Sequence, residues 1–334
     1  PVYPAVVAGA LIPSIRTRAR LESDLRRGVA LRDAPGPEAA PGRRPEWLKV
    51  RVRRGPNFTE LQRIMRERNL HTVCEEAACP NIYECWEARE ATFLLGGDLC
   101  TRRCGFCDVK THKPDPLDPA EPDRIAEAVG LMGLEFAVVT GVARDDLDDA
   151  GSAHWAATIE AVRAARPSCK VEVLIPDFKS RREHPRDSLA RVIEARPDVL
   201  AHNLETVARL HPRIRPGFGY RSSLELLRWA KELRSGQVTK SNLIVGMGER
   251  EEETCAAMRD LRDASVDVLT IGQYLQPSVA WHLRVDRWVH PDEFARLERF
   301  GEDDLGFAWV EAGPLVRSSY HAGKQYRSAA ARLG

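Results

Sequence analysis

From residue 92 onward the chain alternates short β-rich runs with helical segments, and this rhythm restricts the fold more than any other feature. The runs are TFLLGG (92–97), FAVVTG (136–141), KVEVLIPDF (170–178), DVLAHN (198–203), SNLIVGMGE (241–249) and VDVLTIGQYL (266–275). Helical patterns fall near 121–133, 153–166, 187–196, 222–234, 250–264 and 291–300. Strands separated by a helix's length of chain are expected to pair in parallel, with the helices covering the sheet. Six such units predict an α/β fold, a partial (β/α)6 TIM-like barrel. GFAWVEAG (306–313) is the candidate seventh strand. A closed eight-stranded barrel needs more strands than the sequence offers.

In parallel α/β folds the functional rim lies at the C-terminal ends of the strands. The polar residues Thr140, Gly141, Asp177, His202, Asn203, Glu249 and Gln273 fall there. The plainer alternative is that each merely ends a strand, but their common position on one rim favours a site. Ahead of the repeat, NFTELQRIMRERNL (57–70) has helical spacing, with Phe58, Leu61 and Met65 recurring every three or four residues. The Arg-, Pro- and Ala-rich residues 1–45 read as an arm, partly helical around 16–30. The expected organisation is therefore an arm (1–45), an N-terminal extension (46–91), the partial barrel (92–300) and a C-terminal segment (301–334).

The 334 residues include 50 Lys and Arg against 49 Asp and Glu, so net charge gives no reason to expect nucleic acid as a partner. No run of apolar residues is long enough to span a membrane. The apolar opening PVYPAVVAGALIPSI has no basic flank, so export is not expected and a cytoplasmic location is.

Six of the eight cysteines lie within residues 74–107. A disulfide scaffold would spread its cysteines through the chain, whereas dense local clusters favour metal. Cys100, Cys104 and Cys107 form C-x3-C-x2-C directly after the first strand of the repeat, where three thiolates converge with little chain-closure cost. Gly105 is expected to relieve backbone strain in that loop. Three thiolates on an iron–sulfur cubane leave one iron open to a small molecule. Zinc, completed by Asp108 or His112, is the alternative from spacing alone. Cys74, Cys79 and Cys85 form a second triad, C-x4-C-x5-C, among Glu75, Glu76, Pro80, Asn81 and Glu84 rather than apolar neighbours. Cys169 and Cys255 stand alone in periodic segments and read as structural.

CTRRCGFC (100–107) resembles the cysteine motif of the radical S-adenosylmethionine superfamily, and HTVCEEAACPNIYECW (71–86) resembles the second triad of its lipoyl synthase family. TGVARDDLDDAG, VLAHNLETV, TKSNLIVGMGE, QYLQPS and VRSSYHAG are similar to further segments of that family, so the resemblance runs from about residue 45 to about 326.

The resemblance implies two 4Fe-4S clusters. One, on Cys100, Cys104 and Cys107, binds S-adenosylmethionine at its open iron and reduces it to a 5′-deoxyadenosyl radical. The other, on Cys74, Cys79, Cys85 and a serine of RSSY (Ser318, with Ser319 as rival), is the sulfur source and is consumed. Two sulfurs go to C6 and C8 of a protein-bound N6-octanoyl-lysine, with two cofactor molecules spent per lipoyl group.

Implied partners are the glycine cleavage H protein or a 2-oxoacid dehydrogenase E2 domain as octanoylated carrier, a ferredoxin- or flavodoxin-type electron donor, and an iron–sulfur repair protein. Gly141, Asp145, Asp146, Asn203, Glu205, Gly246, Glu249 and Gln273 are the implied cofactor contacts, and Arg317 a shield of the substrate channel. Another radical sulfur-inserting enzyme is the rival reading. The residues carry a physical logic of their own. An unactivated methylene offers neither acid nor electrophile, so ordinary side chains cannot functionalise it and a cofactor-derived radical is required. A hard serine oxygen matches iron–sulfide poorly and suits a cluster that is dismantled. Arg102 and Arg103 are expected to raise the local positive potential, or to be plainly solvated, as is Lys240.

Overall fold

The computed structural model describes residues 42–50, 54–68, 70–77 and 79–334. The arm expected over 1–45, with its helix near 16–30, lies outside the described residues apart from 42–45.

Among the described residues ten strands form: β1 (His71–Thr72), β2 (Thr92–Leu95), β3 (Leu99–Cys100), β4 (Lys110–Thr111), β5 (Phe136–Gly141), β6 (Lys170–Leu174), β7 (Val199–Ala201), β8 (Val238–Val245), β9 (Val268–Gln273) and β10 (Trp309–Gly313). Eight make one sheet in the order β1-β2-β5-β6-β7-β8-β9-β10. β1 is antiparallel to β2, and every other pairing in the sheet is parallel. The six expected helices appear as Glu121–Leu131, Ser152–Ala165, Pro185–Glu194, Tyr220–Leu233, Glu251–Asp263 and Pro291–Arg299. Among the described residues no pairing joins β10 to β1, so the sheet is the open, partial barrel expected, with β10 as its seventh parallel strand.

Two boundaries differ from the sequence reading for local reasons. β6 stops at Leu174, two residues before Pro176, which has no amide proton for a ladder. β8 begins earlier, at Val238, and ends at Val245 because Gly246 and Gly248 take φ +93° and +108°, which ordinary residues avoid.

The earlier start places Lys240 inside β8. Alternation along that strand puts Lys240, Asn242 and Ile244 on one face. Lys240 is not solvated. Its side chain is 1% exposed and its ammonium donates to Glu172 Oε1 at 2.8 Å and Oε2 at 3.1 Å, across the intervening β7. One level up, Asn242 donates to Glu205 Oε2 at 3.0 Å and accepts from Thr270 at 2.8 Å. Ile244 then faces the cavity described below. The concave side of the sheet therefore has a hydrogen-bonded polar floor.

The N-terminal segment is held by apolar packing. In the helix Pro56–Glu67, Phe58, Leu61, Ile64 and Met65 are buried. Phe58 packs on Tyr83 and Trp86 of the helix Ile82–Glu87, with ring centroids 5.2 Å apart in both cases. Cys85 lies on that second helix, and Cys74 on the short helix Val73–Glu76 that follows β1. No helix among the described residues is long and apolar enough to cross a membrane.

The Lys240–Glu172 pair generates a test. Lys240→Met strands a buried carboxylate and is expected to cost about 3–5 kcal/mol in chemical denaturation, whereas adding Glu172→Leu recovers most of the loss.

Candidate active site

A cavity of about 400 Å³ opens at the C-terminal ends of the parallel strands. Leu94, Thr140, Gly141, Leu174, Asn203, Ile244 and Gln273 contribute its strand-end wall. Cys100, Cys104 and Cys107 line one side, and Cys74, Cys79, Arg317, Ser318 and Ser319 also line it. A smaller cavity of about 30 Å³ is lined by Cys74, Cys79 and Cys85 together with Ser319 and Tyr320. The fold thus joins segments remote in sequence: both cysteine triads and the serine pair share one connected region. Ser319 faces both cavities and Ser318 only the larger.

The first triad is built from β3 outward. β3 pairs with β4, so the loop between Cys100 and Thr111 leaves and returns at one place. Thr101 donates to the Ala143 carbonyl from its backbone (3.1 Å) and its hydroxyl (2.9 Å), tying the loop to the turn after β5. Cys100 Sγ accepts backbone N–H groups of Arg102 (3.4 Å) and Ala143 (3.3 Å), bonds that favour thiolate over thiol. Gly105 is needed for a different reason from the one expected. A Cβ there would stand 2.8 Å from Leu283 Cδ1, so the residue provides close packing rather than an unusual φ.

Arg102 is neither solvated nor a free positive charge. Its side chain is 5% exposed, binds Asp145 (Nε–Oδ2 2.8 Å) and Asp177 (Nη1–Oδ1 2.7 Å), and stacks 4.3 Å over Phe218. Burial opposes its charge, but the two carboxylates outweigh burial and raise its affinity for the proton. Asp145 and Asp177 are thereby committed to Arg102, and Asp146 to Arg144 at 2.9 Å. Neither Asp145 nor Asp146 lines the larger cavity. His202 is turned away too, buried between the Ile175 carbonyl and Ser223, and burial lowers its pKa to about 3. Gly246 and Glu249 form a closed turn outside the cavity lining, in which Glu249 accepts the N–H groups of Gly246 and Met247 at 2.6 and 2.9 Å.

Asn203, Glu205, Gly141 and Gln273 do line the cavity. Asn203 donates to Glu205 at 3.0 Å, while its own carbonyl oxygen is buried with no partner among the described residues. A buried acceptor of this kind calls for a ligand donor. Glu205 holds φ +70°, a conformation rare for residues other than Gly, Asn and Asp. Burial pushes its carboxyl upward, against the pull of Arg215, Asn203 and Asn242. Gln273 is fully engaged, accepting from Val289 at 2.8 Å and donating to surrounding carbonyls.

Burial raises every triad thiol, Cys74 to about 12 and Cys104 to about 11, with Cys79, Cys85, Cys100 and Cys107 moved in the same direction. Such thiols ionise only when a bound cation compensates, so the donor set fits a metal cluster and not free nucleophiles. Among the described residues no three His, Cys, Asp or Glu side chains gather at the spacing of a single metal ion.

Residues 95–261 match the radical SAM superfamily, and residues 35–79 match the N-terminal domain of lipoyl synthase of that family. A lipoyl synthase of Mycobacterium ulcerans is 54% identical over 325 residues, covering 97% of this chain and 94% of the relative. One from Mycobacterium avium is 57% identical over 86% of this chain and 91% of its own length. The chain belongs to the lipoyl synthase family.

As a family member it is a radical S-adenosylmethionine sulfur-inserting enzyme that uses a 4Fe-4S cluster and acts on a lipoyl-carrier protein. Among solved structures, the FeFe-hydrogenase maturase HydG from Carboxydothermus hydrogenoformans aligns with TM-score 0.54 at 13% identity, over 83% of this chain and 69% of that one. Methylornithine synthase aligns with TM-score 0.51 at 15% identity, over 63% and 61%. These two likenesses concern the fold.

Arg44, Asn242 and Gly272 also line the cavity and were not singled out in the sequence. The two-residue spacing of Lys240, Asn242 and Ile244 is the signal that would have found Asn242. Gly272 lets the C-terminal segment close over β9, since a Cβ there would lie 2.1 Å from the Val316 carbonyl oxygen. Gly272→Ala is expected to displace that segment at a cost of about 1–3 kcal/mol. Thermal unfolding and faster hydrogen exchange across residues 314–320 check it.

Proposed function

We propose that this lipoyl synthase family member inserts two sulfurs, at C6 and C8, into an octanoyl chain amide-linked to a carrier-domain lysine. In this reading Cys100, Cys104 and Cys107 hold the 4Fe-4S cluster that binds S-adenosylmethionine, and Gly141, Asn203, Glu205 and Gln273 surround the cofactor. When bound, these groups supply hydrogen-atom abstraction from an unactivated carbon. A second cluster, on Cys74, Cys79, Cys85 and an oxygen of the Ser318–Ser319 pair, is a substrate that surrenders its sulfur. The carriers are the glycine cleavage H protein or a 2-oxoacid dehydrogenase E2 domain, the electron donor is a ferredoxin or flavodoxin, and an iron–sulfur repair protein rebuilds the second cluster in the cytoplasm.

The observation that carries this reading is the single cavity bordered by thiols of both triads. Its walls include Val73, Leu94, Val109, Leu174, Ile175, Ile244 and Leu275, a surface suited to an alkyl chain and to keeping water from a reactive intermediate. The unpartnered Asn203 oxygen supplies an acceptor for a ligand N–H or O–H. Asp145, through Arg102, steadies the cysteine loop rather than meeting the cofactor. Gly246 and Glu249 shape the turn after β8 in the same indirect way.

Anaerobic reconstitution is expected to load about eight irons and eight sulfides per chain, as two cubanes require. With reductant and S-adenosylmethionine, an octanoyl-lysyl peptide should gain two sulfur atoms by mass. Four irons with full activity would remove the second cluster from the scheme, and zinc without sulfide would remove both. Ser318→Ala and Ser319→Ala separate the two oxygens: one variant is expected to lose sulfur insertion and the other to stay within about tenfold, since only one oxygen replaces thiolate at the cluster.

A further inference from the structure

Asn81 stands at the N-cap of the helix Ile82–Glu87, a position where an asparagine side chain ordinarily accepts a backbone N–H of its own helix. It makes no such bond. Its amide is 3% exposed and donates instead to the Leu315 carbonyl at 2.7 Å, 234 residues away in sequence. Two residues earlier in the chain stands Cys79, which lines the same small cavity as Asn81 and Ser319. On the other side of the serine pair, Gln325 is 1% exposed and donates to the Tyr320 carbonyl at 2.6 Å. Two buried amides therefore grip the main chain just before and just after residues 316–319.

Other contacts in this region are weaker. Tyr320 donates to Glu84 at 3.2 Å, and His321 lies 3.5 Å from Glu84 and 3.4 Å from Glu90. The Glu84 side chain is 59% exposed, and ion pairs so open to water contribute little. Buried amide–carbonyl bonds are the ones whose loss leaves an unsatisfied group. They decide where the backbone between them lies.

We propose that Asn81 and Gln325 are positioning residues that set the serine hydroxyl against the second cysteine triad. This rests on the reading that one serine oxygen closes that cluster. Asn81 is central because it stands two residues from Cys79 on the cysteine loop while its side chain holds the serine segment. The serine donor is thereby registered to the cysteine loop itself rather than to the barrel at large.

The test uses the full chain, reconstituted anaerobically, as Asn81→Ala, Asn81→Asp and Gln325→Leu. Asp keeps the shape of Asn but, when ionised, cannot donate to a carbonyl, so it isolates the bond from the packing. Backbone hydrogen exchange over residues 314–323 is expected to accelerate about tenfold in each variant, the scale of one lost hydrogen bond. Mössbauer spectra during chelator challenge should show the second cluster losing iron faster than wild type, with the first cluster unchanged. Exchange within about twofold of wild type in all three variants would overturn the proposal. Parallel loss of both clusters would do the same, since it indicates general destabilisation. If wild type holds only four irons, the two-cluster reading fails, yet the exchange rates still decide whether the amides fix the segment.

Discussion

A lysine and a glutamate buried beneath the cavity carry the heaviest constraint in this molecule. Lys240 and Glu172 reach each other across β7, from strands that do not themselves pair. Two charges taken from water are tolerated only with good geometry, so the strands must curve enough to bring the groups together. Above the pair, Asn242, Glu205, Asn203 and Thr270 continue the polar column to the cavity floor. Each of these bonds is directional, and that specificity holds the strand ends where the cysteine loop and the ligand-facing residues need them.

On this floor the site is assembled from three stretches of chain. The first triad hangs from β3 and is tied to the turn after β5. The second lies on the short helices Val73–Glu76 and Ile82–Glu87 and the turn between them, the latter helix held to Pro56–Glu67 by the Phe58–Tyr83–Trp86 stack. The serines arrive on a segment that closes over β9 at Gly272. Each attachment uses a different physical means: hydrogen bonds, aromatic packing and the absence of a side chain.

Much of this was legible in the sequence. The repeat predicted six parallel strands, a candidate seventh and six covering helices, because hydrophobic periodicity is a local property. The first triad stands out by spacing and the second less sharply, by its polar neighbours, and the fold brings cysteines of both to one cavity. What escaped was set by long-range pairing. Lys240 read as solvated because its partner lies 68 residues away, and Arg102 as a free charge because Asp145 lies 43 residues away and Asp177 farther still. Asp145 and Asp146 stand beside a rim glycine in sequence, yet arginines claim them in space. Gly105 was correctly singled out, but for backbone freedom rather than for the room that Leu283 needs.

The bond from Asn81 to Leu315 has a consequence for the order of folding. It joins positions 234 residues apart, so local structure cannot make it, and closing so long a stretch of chain costs entropy until the intervening sheet has formed. The loop carrying Cys79 and the segment carrying Ser318 and Ser319 are therefore expected to meet late, after the parallel strands between them have paired.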